Sequence, residues 1–164
     1  KGLDRFIDAM PAILKEEADT QALIVGEAYE DIQPYKDQIE KLGLAEKVIM
    51  VDQFIPNEEI EPYFKAADVV CLPYRSATQS GITMIAYGMR RPVVVTDVGG
   101  LKELVVPGRT GEVVANNDIK ALSSAVVKVL RDGSTIDHAS HIENLSSELG
   151  YLDLPVMIEK MLEK

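Results

Sequence analysis

The amino-acid sequence predicts an α/β domain, a doubly wound parallel sheet with helices on both faces. Short apolar runs rich in β-branched residues alternate with amphipathic helical segments, and this alternation favours right-handed crossovers between parallel strands. The run 93–96 is apolar without alternation, which is typical of a strand covered on both faces. With 164 residues, 46% of them hydrophobic, the chain is long enough for one core, so we expect a single domain over 1–164.

The first half of the chain is predicted to contain three helices and three strands. Apolar residues recur at helical spacing in the segment that starts at Leu3, and Gly26 and Gly43 follow apolar segments as terminators. Asn57 is an expected N-cap for a short helix. The predicted helices cover 3–14, 35–42 and 57–64, and the predicted strands cover 22–25, 48–51 and 69–72.

The second half continues the alternation. A polar, glycine-terminated loop over 74–81 precedes an apolar-faced helix, and Asn117 or Asp118 is the expected N-cap of a long helix. The predicted helices cover 82–89, 101–105 and 118–131, with two more within 136–164, and the predicted strands cover 93–96 and, at the edge of the sheet, 112–115.

Composition and charge exclude several classes of protein. The formal net charge is -10 and no run of Lys and Arg interrupts the acidic background, so nucleic acid and anionic membranes are poor partners. The single cysteine, Cys71, lies in an apolar run and excludes a disulfide framework. Without an apolar stretch of roughly 18 residues or a basic leader, we expect a cytoplasmic protein. Helical patterns reach both ends, so we expect a piece of a longer chain.

Three glycine-containing loops follow predicted strands, over 26–32, 73–81 and 97–100. In parallel α/β sheets, ligands bind outside the carboxyl ends of the strands, where helix N-termini direct free N–H groups outward. The sequence therefore predicts an anion site at this edge of the sheet.

The loop that ends at Gly81 offers hydroxyls and backbone amides to a diphosphate, together with Ile82 and Thr83 in the first helical turn. Ser80 has the alternative interpretation of a plain N-cap. The pair Gly99-Gly100 also precedes a predicted helix, but a tight turn that needs positive φ explains it equally well.

Lys1 stands directly before a helix, where its ammonium can reach a phosphate, although it can equally be an exposed lysine. His138 and His141 are predicted to lie on a solvated helix face, without further ligands for a metal. No Ser-His-Asp or Cys-His set for nucleophilic catalysis is apparent.

Five segments, in order along nearly the whole chain, closely resemble the C-terminal domain of GT-B glycosyltransferases. The resemblance implies a Rossmann-like GT-B half-domain that binds a nucleoside diphosphate sugar for transfer to an acceptor hydroxyl. It also implies a partner N-terminal domain outside this chain that carries the acceptor, so the isolated domain is expected to be inactive. The segments are 1–4 (KGLD), 23–26 (LIVG), 66–73 (AADVVCLP), 91–105 (RPVVVTDVGGLKELV) and 108–111 (GRTG).

The same resemblance assigns roles to residues. Lys1 matches the lysine that neutralises the donor diphosphate, with a partner arginine upstream of this chain. The backbone of Gly81 and Ile82 matches the amides that hold the distal phosphate. The loop from Val51 to Ile55, which includes Asp52 and Phe54, matches the region that flanks the base.

One departure from the family concerns two glutamates, eight positions apart, that contact the donor sugar and the ribose. Ala77 and Ile85 occupy those positions here. A branch of the family with Gln-Ser-Gly in this loop is similar to Gln79-Ser80-Gly81, so we expect Gln79, Ser80 or Thr83 to supply replacement polar groups.

The chemistry expected of such a site needs no obligatory metal, because an ammonium and helix-start amides stabilise the departing diphosphate. The expected partners are a nucleotide-sugar donor and the N-terminal domain, with membrane contact at most through that domain and a role in polysaccharide or glycolipid synthesis. Two alternatives remain open: a nucleotide-sugar epimerase on the same fold, and a non-catalytic nucleotide-sugar-binding module.

Overall fold

The computed structural model describes residues 1–78, 80–133 and 136–148. Within these ranges, five strands alternate with helices and every strand pair is parallel, which confirms the predicted α/β class. The strands are β1 (Ala22–Val25), β2 (Val48–Val51), β3 (Val70–Leu72), β4 (Val93–Thr96) and β5 (Gly111–Val114).

The hydrogen-bonded ladders fall into two groups instead of one continuous sheet. Strands β1 and β2 pair with Ala22 opposite Val48, while β4 lies between β3 and β5. β5 therefore lies at an edge, as predicted. A shared apolar core joins the two groups, since Val48 of β2 and Val94 of β4 belong to the same buried cluster.

The helices agree with the predicted positions to within a few residues, except near residue 60. They are α1 (Leu3–Glu16), α2 (Gln33–Lys41), α3 (Glu61–Ala66), α4 (Gly81–Gly88), α5 (Ile119–Asp132) and α6 (His138–Glu148), with 3₁₀ turns at Asn57–Glu59 and Leu101–Leu104. The last predicted helix, beyond residue 148, lies outside the described residues.

The helix predicted over 57–64 is divided into a 3₁₀ turn and α3. Pro56 occupies the N-cap position and Asn57 is the first residue of the turn, so the predicted cap is wrong. Pro62 lies in the first turn of α3, where its missing N–H costs nothing. For α5 the cap is Asp118, whose carboxylate accepts from the Ala121 amide at 2.8 Å, while Asn117 adopts a positive φ of 69° outside the helix.

Strand β4 forms the centre of the β3–β4–β5 group, and all four of its residues are buried. Val94 packs with α1 and α5 on one face, whereas Val93 and Val95 pack with α4 and α6 on the other. The doubly wound arrangement is thus confirmed around β4. By contrast, the equivalent outer face of β1 and β2 is partly open, with Leu23 40% and Ile49 48% exposed.

His138 corrects the prediction of a solvated histidine face. Its side chain is only 6% exposed, and Nδ1 lies 2.6 Å from the Arg109 carbonyl oxygen. The sequence does not indicate this contact, because Arg109 and His138 are 29 residues apart and the segment around His138 is polar. His138 therefore anchors the start of α6 to the turn before β5.

Tyr87 ties α4 to the segment that leads into β5. Its hydroxyl lies 2.9 Å from both the Leu104 carbonyl oxygen and Thr110 Oγ1. Burial raises the pKa of the Tyr87 phenol to about 12, so the hydroxyl stays protonated at neutral pH.

We expect Tyr87→Phe to lower the free energy of unfolding by about 1 kcal/mol at pH 7, because it removes a buried hydrogen bond. The folded pKa lies above the unfolded value of 10.0, so in the wild type the unfolded state loses its proton first and stability falls as pH rises from about 10 to about 12. The deficit of Tyr87→Phe should shrink over that interval. Urea unfolding at pH 7 and pH 11 measures both effects, and a deficit that grows with pH would contradict this assignment.

Candidate functional site

The loops after β3 and β4 meet at the carboxyl edge of the strands. Thr96 Oγ1, at the end of β4, donates to the Tyr74 carbonyl at 2.6 Å in a buried contact. The Gly100 amide donates to the Thr78 carbonyl at 2.9 Å. The two glycine loops singled out in the sequence are thus joined by hydrogen bonds.

Gly99 permits this approach. It has a φ of +52°, and a Cβ at this position would lie 1.6 Å from the Ala77 carbonyl oxygen. The Gly100 N–H already donates to the Thr78 carbonyl, so it is not free to bind a phosphate in this structure. The segment that follows is a four-residue 3₁₀ turn. The positive φ of Gly99 is that of a tight turn, and a phosphate contact by this pair stays a prediction.

The start of α4 has the open geometry that the diphosphate prediction requires. Gly81 is exposed, and nothing lies within 4 Å of the position where its Cβ would be. Ile82 is also exposed. The first N–H groups of an α-helix have no partner inside the helix, and they carry the positive end of its dipole. Ser80 occupies the N-cap position, yet its side chain makes no capping hydrogen bond.

Thr83 cannot serve as a sugar contact in this conformation. Its side chain is fully buried, and its hydroxyl has no hydrogen-bond partner. The helical period turns position 83 toward the core while Gly81 and Ile82 face outward. Gln79 lies outside the described residues. Ala77 packs against the second core cluster and Ile85 is half-buried, so neither position offers a polar group.

Lys1 is held at the carboxyl end of β3. Gly2 precedes α1 with a φ of +81°, and a Cβ there would lie 2.0 Å from the Pro73 carbonyl oxygen. This close backbone contact brings the Lys1 Nζ to 4.2 Å from the centroid of the Tyr74 ring. The ammonium is exposed but oriented by a cation–π contact, so Lys1 lies beside the loop that leads to α4.

Sequence reasoning missed a polar network beside Lys1. An Arg75 guanidinium nitrogen bonds to the Asp4 carboxylate, and the Arg75 carbonyl accepts from Asn116 Nδ2 at 3.2 Å. The buried Arg5 side chain donates to Asn116 Oδ1 at 2.6 Å and also to Asn117. These partners are 41 to 112 residues apart, so no local pattern in the sequence signals them.

The predicted base-flanking loop follows β2. The Val51 carbonyl accepts from the Gly26 amide at 3.1 Å, and Asp52 Oδ1 accepts from the Ala28 amide at 2.9 Å. These bonds tie the loops after β1 and β2 together. Phe54 is 68% exposed, so the loop presents an aromatic ring to solvent.

The carboxylates at this edge do not form a metal site. Asp97, after β4, pairs with Lys102 at 2.8 Å, and their hydrogen bond raises the Lys102 pKa. Throughout the described part of the chain, no group of three or more His, Cys, Asp or Glu side chains lies close enough to hold a metal ion.

A partly open groove of about 300 Å³ lies at the opposite edge, between α6 and the turn before β5. This groove is separate from the candidate site, which begins at Lys1 and ends at the start of α4. Residues lining the groove include Val106, Arg109, Thr110, His141 and Leu145.

We expect Gly2→Ala to destabilise the domain by about 3 kcal/mol, because it adds left-handed strain and a clash with the Pro73 carbonyl. Gly43→Ala is the matched control: it has a φ of +66° but open space around it, so it should cost only about 1 kcal/mol. Urea unfolding of both variants measures the difference. Equal losses would show that the contact with Pro73 does not constrain Gly2.

Comparison with protein families gives a match over most of the chain. The family model described as glycosyl transferases group 1 matches residues 1–132. Within residues 1–78, 80–133 and 136–148, no helix has the length and apolarity needed to cross a membrane.

Two relatives indicate which proteins this chain is similar to. The lipopolysaccharide core biosynthesis mannosyltransferase LpsB of Rhizobium meliloti is 31% identical over 146 residues, covering 85% of this chain and 41% of that protein. The GDP-mannose-dependent alpha-(1-6)-phosphatidylinositol monomannoside mannosyltransferase of Mycolicibacterium smegmatis is 34% identical over 143 residues, covering 80% and 36%. The chain thus spans less than half the length of these relatives.

Solved structures share the fold. Anabaena Alr3699/HepE in complex with UDP aligns with a TM-score of 0.77 at 22% identity, over 99% of this chain and 44% of that one. Sucrose-phosphate synthase from Thermosynechococcus elongatus aligns with a TM-score of 0.77 at 23% identity, over 98% and 40%.

Proposed function

This chain belongs to the glycosyl transferases group 1 family, and on that premise we propose that it is the donor-binding domain of a GT-B glycosyltransferase. The protein that contains it transfers a sugar from a nucleoside diphosphate sugar to an acceptor hydroxyl. The observation that carries the proposal is a cation beside one end of the loop after β3 and an open helix start at the other end of that loop. Lys1 lies over Tyr74 at one end of that loop, and the open N-terminus of α4 begins at Gly81 at the other.

The diphosphate binds between these two features. Backbone N–H groups at a helix N-terminus and a nearby ammonium are established ways to hold phosphate oxygens. A solved structure with this fold is described as a complex with UDP, and one relative is named as dependent on GDP-mannose. The loop that contains Asp52 and the exposed Phe54 lies at the same edge of the strands and flanks the base.

In the transfer step, the bond between the anomeric carbon and the diphosphate oxygen breaks, and its electron pair leaves with the diphosphate. A new bond forms to the acceptor oxygen, and the acceptor proton passes to a base in the part of the protein outside this chain. Lys1 and the first amides of α4 stabilise the charge that develops on the diphosphate. These groups provide the stabilisation without a metal ion.

The acceptor side of the reaction belongs to the part of the protein outside this chain. The chain spans 41% and 36% of its two quoted relatives, which leaves room for a second domain. An open donor surface also needs a covering domain, because exclusion of water strengthens the electrostatic contacts that catalysis requires.

A second candidate function is favoured by Ala77 and Ile85. Both positions lack the carboxylates that the family resemblance implies for sugar and ribose contacts, and the structure places no polar group there. A non-catalytic nucleotide-sugar-binding module fits this loss. The two candidates differ in turnover of the full-length protein, which only the transferase shows.

Titration of the chain with UDP, GDP, UDP-glucose and GDP-mannose by calorimetry tests the proposed function. We expect saturable binding of at least one nucleoside diphosphate, because the phosphate-binding elements lie within this chain. Absence of binding at millimolar concentration would refute both candidates.

We expect Lys1→Ala to weaken nucleoside diphosphate binding about tenfold, since it removes one charge-assisted contact. Lys65→Ala is the matched control, because Lys65 is an exposed lysine on α3 that pairs with Glu61 on the same helix. Its affinity should equal that of the wild type. An equal loss of affinity in both variants would show that Lys1 acts only through the net charge of the domain and makes no specific contact with the diphosphate.

Gly81→Leu should abolish diphosphate binding without unfolding the domain. A side chain at Gly81 meets open space in the protein, so its bulk occupies only the volume assigned to the phosphates. Gly81→Ala provides a graded comparison with a smaller loss. Calorimetric titration measures affinity and thermal unfolding checks the fold. Wild-type affinity in Gly81→Leu would exclude the start of α4 as the phosphate site.

A further inference from the structure

We infer that Arg75 is a second cation of the diphosphate site, held beside Lys1 and paired with Asp4 until the ligand takes its place. The inference rests on the proposed function. It assigns to a residue of this chain a positive charge that the family resemblance places only on an arginine upstream.

Lys1 and Arg75 lie close together, because each contacts a residue near the other in the chain. Lys1 Nζ lies 4.2 Å from the Tyr74 ring centroid, and Arg75 is the next residue in the loop. The Arg75 guanidinium bonds to Asp4, which lies in the first turn of α1, three residues after Lys1. One helical turn rises only about 5.4 Å, so the two cations share one small region of the surface.

The backbone of Arg75 is anchored independently of its side chain. Asn116 Nδ2 donates to the Arg75 carbonyl, and Asn116 Oδ1 accepts from Arg5. Arg5 is 9% exposed, and its hydrogen bonds go to the amide oxygens of Asn116 and Asn117 instead of carboxylates. The loop after β3 is thereby fixed to α1 and to the loop after β5 by bonds that do not involve the guanidinium of Arg75.

The pairing with Asp4 is weak enough for a ligand to displace it. The Arg75 and Asp4 side chains are 55% and 37% exposed, and exposed ion pairs contribute little net stability. A diphosphate carries more negative charge than one carboxylate, and its oxygens match the planar fork of a guanidinium. Arg75 therefore exchanges Asp4 for the pyrophosphate by rotation of its side chain.

Asp4 affects the affinity for the donor in this arrangement. Its carboxylate competes with the ligand for Arg75, so it lowers donor affinity and opposes binding of weaker anions. A purely structural ion pair predicts the opposite, because loss of Asp4 would then loosen the loop and weaken binding.

Calorimetric titration of the 164-residue chain with UDP, GDP and inorganic pyrophosphate tests the inference. We expect Arg75→Gln to weaken binding of each ligand about tenfold, as expected for loss of a charge-assisted contact. Arg90→Gln is the matched control: Arg90 pairs with Glu143 at 2.5 Å and precedes β4, at the opposite edge of the strands. It should bind like the wild type.

Asp4→Asn should tighten binding by about two- to fivefold, since it frees Arg75 from its partner. In the double variant Asp4→Asn with Arg75→Gln this gain should disappear, because no guanidinium remains to be released. Thermal unfolding of each variant confirms that the domain is folded under the conditions of the titration.

The outcomes separate this inference from the proposed function. If the wild type binds and Arg75→Gln retains wild-type affinity, Arg75 is not a ligand and the proposed function stands. If Asp4→Asn weakens binding in a folded domain, the pair is structural and the inference is overturned. If the wild type binds none of the three ligands at millimolar concentration, the proposed function and the inference fail together.

Discussion

A backbone contact between Gly2 and the Pro73 carbonyl sets the position of everything else at the carboxyl edge. The contact leaves no volume for a Cβ, and the φ of +81° at Gly2 favours glycine for a second, independent reason. It fixes the entrance to α1 against the end of β3. Lys1 on one side of this contact and Tyr74 on the other are thereby brought together, although they are far apart in the chain.

The same edge is cross-linked at two further points. Thr96 bonds to the Tyr74 carbonyl, and Gly99 lies against the Ala77 carbonyl oxygen. These contacts use backbone oxygens, so they rigidify the loop before α4 without consuming its side chains. The result is a preorganised surface, and preorganised amides and charges stabilise a developing anion without reorganising during the reaction.

Electrostatics explain how an acidic domain can bind an anion. The chain carries a formal net charge of -10, yet Lys1, Arg75 and the buried Arg5 cluster beside the end of β3. Two carboxylates at the carboxyl edge are engaged locally, since Asp52 accepts an amide and Asp97 pairs with Lys102. At physiological ionic strength, charges separated by more than about 8 Å are largely screened, so the local cluster outweighs the remote acidic surface.

The sequence by itself determined the elements and their order. Periodicity follows from local geometry, so β1, β2 and β4 were predicted at the residues where they occur, and both faces of β4 are covered as its apolar run required. Local geometry also sufficed for Gly81 at the start of α4. It failed at residues 57–64, where the pattern gave no sign that a 3₁₀ turn precedes the proline-containing first turn of α3.

Only the tertiary structure decided which of the polar residues act together. Thr83 has a hydroxyl in a promising loop, but the orientation of α4 buries it, and His138 is buried by a partner 29 residues away. Arg75, Asp4 and Asn116 were invisible as a group because side-chain contacts across strand ends leave no period in the sequence. The identity of a side chain determines which interactions it can make, whereas the packing of distant segments determines which groups it contacts.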